Sequence, residues 1–161
     1  MAISSKKVIG ADNQQERLDV ASWIVGFSDG EGCFSVSVIE NKTTKFGTQI
    51  FPEFVVTQGA KSLSALEKIQ KFFGCGKIFV NKRYDNHNEN LYRYCVRSID
   101  DLEYKIIPFF EKHQLQTHKA NDFLIFRKII RLMRIKKHLQ ARGRTAILKL
   151  ASQMNRRKKR R

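Results

Sequence analysis

The stretch Trp23-Ile24-Val25-Gly26-Phe27-Ser28-Asp29-Gly30-Glu31-Gly32 constrains the chain most, because an apolar helix runs into two acids flanked by glycines. Leu18, Ala21, Trp23, Ile24, Val25 and Phe27 set the helical pattern, which can start near Asn13 and is expected to stop at Gly30. Ser22 and Gly26 lie one turn apart, so a second helix can approach that face backbone against backbone. Gly30 and Gly32 allow positive φ where the chain leaves the helix, which would aim Glu31 beyond the helix end.

A carboxylate at a helix C-terminus faces the negative end of the macrodipole and needs a cation nearby. A metal would remove that conflict. Mg²⁺ favours octahedral oxygen coordination by carboxylates, phosphate oxygens and water, so one Glu31 is too little protein for a good site and two copies suffice. If the Ser22/Gly26 faces of two subunits pack about a two-fold axis, both Glu31 carboxylates arrive at one interface. Ser22, Val25, Gly26 and Asp29 are the expected dimer contacts, and Glu31 with Gly30 the expected metal site.

From Cys33 the period changes to two. Phe34, Val36 and Val38 alternate with Ser35, Ser37 and Ile39, and a polar turn over Asn41 to Gly47 leads to a second strand from Thr48 to Thr57. Pro52 fits there only at an edge or bulge. Leu63, Leu66, Ile69, Phe72 and Phe73 follow helical spacing after a Ser62 cap, with Gly74 and Gly76 closing that helix. Strands are expected over Lys77 to Tyr84 and Leu91 to Ser98, around an Asp85 to Asn90 turn. Ser98 and Asp101 fit a capping box for a helix from Ile99 that should break near Pro108. A longer helix is expected from Thr117, and another over Arg144 to Met154.

This order predicts an α+β protein, αββαββα, whose antiparallel four-stranded sheet is backed by helices on one face. At 161 residues and 42% hydrophobic, the chain suits one domain, here 13–154, between a polar lead 1–12 and a basic tail 155–161. The odd positions give the exposed sheet face: Ser35, Ser37, Ile39 and Asn41; Gln49, Phe51, Glu53 and Val55; Lys77, Phe79, Asn81 and Arg83; and Arg93 on the fourth strand. The same pattern also suits an ordinary solvated face.

The net charge of +16 is concentrated, since residues 123–161 hold 15 of the 31 Lys and Arg and no acid follows Asp122. The remainder holds 16 bases against 15 acids. A near-neutral body with a cationic last quarter suits a polyanion, and nucleic acid is the commonest one. Arg134, Lys136, Lys137, Arg142 and Arg144 are expected on backbone phosphates. The terminal run 156–161 reads either that way or as a solvated tail or address signal.

Cys33, Cys75 and Cys95 are odd in number and unpaired by motif, which indicates a reduced, intracellular protein. The first residues carry no apolar signal segment, and no apolar run approaches the roughly 20 residues that span a bilayer. Secretion and membrane insertion are therefore not expected. His87, His113, His118 and His138 lack metal-ligand spacing, although His118 beside Lys119 can approach phosphate. The twelve Phe mostly keep core periodicity.

The segment Ile24 to Gly32 resembles the nine-residue motif of the LAGLIDADG homing endonucleases. Val56-Thr57-Gln58, Gly74-Cys75-Gly76, Ile106-Ile107-Pro108-Phe109-Phe110 and Leu115-Gln116-Thr117-His118-Lys119 resemble that family as well, and so does the order of elements. The motif occurs once, which by resemblance implies a homodimer on a long, nearly palindromic double-stranded DNA site. The resemblance implies Glu31 as metal ligand, Asp29 as a structural residue, Gln58 as a water-ordering residue and Lys119 as a stabiliser of developing charge. The family often has Asp at Glu31, and sometimes an arginine four residues after Gln58, where this chain has Ser62, with Lys61 a weak substitute.

The implied chemistry is Mg²⁺-dependent phosphodiester hydrolysis across the minor groove leaving 3′ overhangs, with Mn²⁺ or Ca²⁺ replacing Mg²⁺ in binding. Ser35, Ser37, Ile39, Asn41, Gln49, Phe51, Lys77, Asn81, Arg83 and Arg93 would read DNA, with His118, Lys136, Lys137 and Arg142 on its backbone. The host compartment implied is a bacterial cytoplasm or an organelle interior. Alternatives within the resemblance are an intron RNA maturase and a non-cleaving DNA-binding regulator. A basic ribosome-associated protein would need neither Glu31 nor a dimer face.

Overall fold

The first helix does not stop where its glycine suggests. In the computed structural model, which describes residues 9–82 and 89–154, α1 runs Ile9–Glu31 and passes directly into β1, Gly32–Glu40. Arg83, His87 and the tail 155–161 lie outside the described residues, as do residues 1–8 of the polar lead. Neither Gly30 nor Gly32 has positive φ. The expected left-handed exit is replaced by a close approach: a Cβ on Gly32 would lie 2.7 Å from the Ser28 carbonyl oxygen. Gly32 is thus small because the chain folds back against its own last helical turn.

β1 pairs antiparallel with β2, Thr48–Gly59, from Gly32↔Val56 to Glu40↔Thr48. A 3₁₀ turn, Ala60–Ser62, leads to α2, Leu63–Phe73, then β3, Lys77–Asn81, and β4, Leu91–Val96. The sheet order is β1-β2-β4-β3, antiparallel throughout. Although β2 is a central strand, its ladder to β4 starts only at Phe54↔Val96. Pro52 therefore sits where β2 has one neighbour, so its missing N–H leaves no central ladder bond unmade.

Ser62 does not cap α2 through its side chain, whereas Gly74 ends α2 at φ 59° with its N–H donated to the Gln70 carbonyl. The Ser98 hydroxyl accepts from Asp101 N at 3.3 Å, as expected. The predicted break at Pro108 does not occur. Instead α3, Ile99–Asp101, continues through a π turn, Leu102–Ile106, into α4, Ile107–Lys112. A wider turn just before the proline accommodates its ring and missing N–H without ending the helix. α5, Lys119–Arg134, and α6, Ala141–Ala151, complete the order.

The core lies between the helices and the even-numbered face of the sheet. Phe34 is its hub, with ring centroids 5.0–5.4 Å from Phe54, Phe110, Phe123 and Phe126. The alternation fails towards the end of β1, where even-numbered Val38 is 48% exposed, more than its outward-facing neighbour Ile39 at 42%. Odd positions face outward on all four strands, as the cross-strand rows Cys33–Val55–Cys95–Lys77 and Thr57–Arg93–Phe79 show.

Candidate DNA-cleavage site and DNA-reading face

α1 buries Ala21, Ile24 and Ser28, and turns Ser22, Gly26 and Gly30 outward one turn apart. A Cβ at Gly26 or Gly30 would meet nothing within 4 Å. A bare stripe thus runs down the helix to Glu31. Val25, expected on that stripe, is half-buried and packs against its own core. Asp29 is likewise engaged within the chain: its carboxylate accepts from Gln116 N at 2.7 Å, Thr117 N at 3.2 Å and Thr117 Oγ1 at 2.8 Å. Burial pushes its pKa up, but these hydrogen bonds and nearby Lys119 outweigh that and hold it below the ordinary aspartate value.

The pinned segment Gln116-Thr117 delivers Lys119 to the same end of α1. Lys119 Nζ donates to the carbonyl oxygens of Ser28 at 3.2 Å and Gly30 at 2.7 Å. The cation expected at the helix end is therefore partly supplied by the chain itself. Glu31 is exposed, and its carboxylate has no ion-pair partner among the described residues. Gln58 reaches this corner by register, since it lies two residues beyond Val56, the partner of Gly32. His118 is exposed one residue before α5.

Among the described residues, no cluster of three or more His, Cys, Asp or Glu side chains can hold a metal. One chain offers one uncommitted carboxylate at this end, a hard oxygen donor of the kind Mg²⁺ or Ca²⁺ takes. The Gly30 carbonyl already accepts Lys119 but keeps a second lone pair. These donors fit a divalent cation only when a second set is brought alongside.

The outward sheet face carries the other expected residues. Ser37, Ile39, Gln49, Lys77 and Asn81 are exposed, and Ser35 and Phe51 half-buried. Asn41 is committed to its turn, accepting from Thr43 N and Oγ1 and donating to Gln49 Oε1 at 3.1 Å. Arg93 donates to Glu53 at 3.0 Å and so is not a free side chain. Arg97, just past β4, was not among the expected site residues; it pairs with Glu53 at 3.1 Å and lies over the Phe51 and Phe79 rings. Its odd number, shared with Arg93, was the available signal.

Lys136, Lys137 and Arg142 are exposed at the α5–α6 connection, and Lys136 adopts φ 58°. Two neighbouring arginines differ from expectation. Arg144 is buried, bonded to the Thr48 hydroxyl and stacked over Phe46, so it ties α6 to the β1–β2 hairpin. Arg134 is drawn to Asp100 and the Tyr104 hydroxyl. Neither is placed as a free phosphate contact.

Residues 24–130 match the family model described as LAGLIDADG endonuclease, and the chain belongs to that family. A probable intron-encoded endonuclease of Neurospora crassa is 30% identical over 133 residues, which is 83% of this chain and 27% of the relative. The chain thus spans about a quarter of that relative's length. The crystal structure of the homing endonuclease I-TnaI superposes with a TM-score of 0.75 at 41% identity, over 86% of this chain and 89% of that one. I-SmaMI bound to an uncleaved DNA target in the presence of calcium ions gives a TM-score of 0.76 at 38% identity, over 84% of this chain and 44% of the other. The four-stranded antiparallel sheet with its helices is the fold of these enzymes. No helix of the described residues is long and apolar enough to cross a membrane.

Proposed function

We propose that the chain is one half of a homodimeric, site-specific DNA endonuclease that hydrolyses both strands of a long pseudo-palindromic site, in the bacterial cytoplasm or organelle interior where its target resides. The observation that carries this is the bare Ser22/Gly26/Gly30 stripe leading to an exposed Glu31, with the Lys119 ammonium beside it. A self-complementary stripe closes a two-fold dimer and stops there.

In the dimer the two Glu31 carboxylates and Gly30 carbonyls would hold divalent cations, Mg²⁺ for catalysis with Mn²⁺ or Ca²⁺ as substitutes in binding. Such a cation supplies Lewis acidity to a water and to the scissile phosphate. Lys119, fixed on the Gly30 carbonyl, places positive charge where charge develops on the phosphate. The Gln58 amide orders a water at the end of β2. Asp29 keeps the Gln116-Thr117 segment, and with it Lys119, in place. Ser35, Ser37, Ile39, Gln49, Phe51, Lys77, Asn81 and Arg93 lie along the major groove, with His118, Lys136, Lys137 and Arg142 on phosphates.

The test is incubation with a randomised duplex library and Mg²⁺, sequencing of the cleaved ends, and sedimentation of the protein–DNA complex. The proposal expects one near-palindromic site, two strand breaks within it and two chains per complex. An uncut library, or a single chain on the cut site, contradicts it.

A further inference from the structure

The middle of the DNA-facing sheet surface is not solvated. Val55 and Cys95 are outward-facing yet 7% and 2% exposed, in the region spanned by Arg93, Glu53 and Arg97. Glu53 Oε1 accepts from Arg93 Nη2 at 3.0 Å, and Oε2 accepts from Arg97 Nε at 3.1 Å. The Arg97 guanidinium lies 5.2 Å from the Phe51 centroid and 4.8 Å from that of Phe79, within cation–π range of both. The acid is the inner member, with 13% of its side chain exposed against 36% and 39% for the two arginines.

From this we infer that Glu53 is a positioning residue that presents Arg93 and Arg97 as two fixed guanine readers in each half-site. The inference rests on the DNA-reading function proposed above. A glutamate facing DNA can accept from cytosine N4, but here each oxygen already accepts from an arginine and only 13% of the side chain is exposed, so the arginines are the accessible members of the cluster. Each arginine gives one N–H to Glu53, and the Arg97 guanidinium also lies by the Cys95 thiol. Arg97 in particular retains both terminal nitrogens, the paired donors that guanine O6 and N7 accept together. The cluster keeps a net charge of +1, so the acid does not repel the duplex.

A phosphate contact requires none of this ordering, because a long flexible cation reaches a backbone oxygen from many geometries. Two aromatic faces and a shared carboxylate instead fix the plane and direction of the guanidinium before DNA arrives. Fixing a side chain in its bound geometry reduces the ordering cost of recognition and sharpens discrimination.

The test is binding selection of the full chain on a randomised duplex library in Ca²⁺, followed by competition of the selected duplex against single-base variants. Wild type should select guanine at two positions per half-site. Arg97→Lys should lower discrimination at one of them by roughly 5- to 150-fold, and Arg93→Lys at the other, with neither altering the remaining positions. Glu53→Gln should relax both together, and charge-preserving lysines avoid confusing lost specificity with lost folding.

Uniform weakening on all sequences, or selected guanines that neither lysine variant relaxes, would overturn the inference while leaving the DNA-reading function standing. A wild-type chain that retains no duplex would overturn that function and the inference with it.

Discussion

Lys119 Nζ lies 2.7 Å from the Gly30 carbonyl oxygen, so the ammonium closes the end of α1 one residue before the carboxylate that carries the proposed chemistry. The contact links α5 to α1 and favours the helix end by about 0.3–1 kcal/mol. Lys119→Met should lower thermal stability by that small amount and single-turnover cleavage by about 10²-fold, the scale for loss of one group that stabilises developing charge. Cleavage within twofold of wild type would remove Lys119 from the chemistry.

Asp29 gives a pH dependence of known sign. Its carboxyl is held below its ordinary value in the folded chain, so its contribution is complete above about pH 4 and is lost as pH falls through the folded value. Chemical denaturation from pH 7 to pH 3 should therefore show a steeper acid loss in wild type than in Asp29→Asn. Asp29→Ala, which removes the acceptor of the exposed Gln116 and Thr117 amides, should cost about 1 kcal/mol at pH 7. Parallel acid profiles for wild type and Asp29→Asn would contradict the assigned hydrogen bonds.

Much of this arrangement is written locally, and the exceptions have physical causes. Period-two alternation places Phe34, Phe54 and Arg93 on their proper faces because pleating is a local property. Gly74 announces a left-handed exit, whereas Gly32 is small for a contact with Ser28 that only the completed turn creates. Pro108 predicts a break that the π turn absorbs, since tertiary packing of Leu102, Ile106 and Phe110 holds the helix together. Arg144 carries the same charge as Arg142, and only the position of Phe46 and Thr48 across the fold separates a buried tie from an exposed cation. Asp29, Glu31 and Lys119 gather at one corner because two hydrogen-bonded segments 87 residues apart meet there, and the motif carries half of that meeting.

Gly26 and Gly32 should respond oppositely to added side chains. Open space at Gly26 lets Gly26→Leu fold as a chain, with improved helix propensity, while blocking the approach of a second helix. Sedimentation should show a shift from dimer to monomer with cleavage lost and melting of the chain cooperative. Gly32→Ala places a methyl against the Ser28 backbone and should cost about 1–3 kcal/mol. A Gly26→Leu variant that stays dimeric would move the interface elsewhere.

The basic C-terminal region divides into two kinds of arginine. Arg144→Met should destabilise the chain by about 2–3 kcal/mol through loss of its tie to Thr48 and Phe46, with no change in the salt dependence of DNA binding. Lys137→Ala and Arg142→Ala should leave stability within about 0.5 kcal/mol and each lower the slope of log K against log salt by about 0.9. Titrations at several salt concentrations separate the two, and a slope change in Arg144→Met alone would reverse the assignment.

The measurement closest to the central claim compares cleavage and binding by Glu31→Gln on the selected duplex. The exposed carboxylate has no structural partner among the described residues, so the amide should fold as wild type and bind the duplex in Ca²⁺ within a few-fold. Strand scission in Mg²⁺ should fall below detection. Undiminished scission by Glu31→Gln would contradict the account, because among the described residues no other carboxylate at the end of α1 is uncommitted.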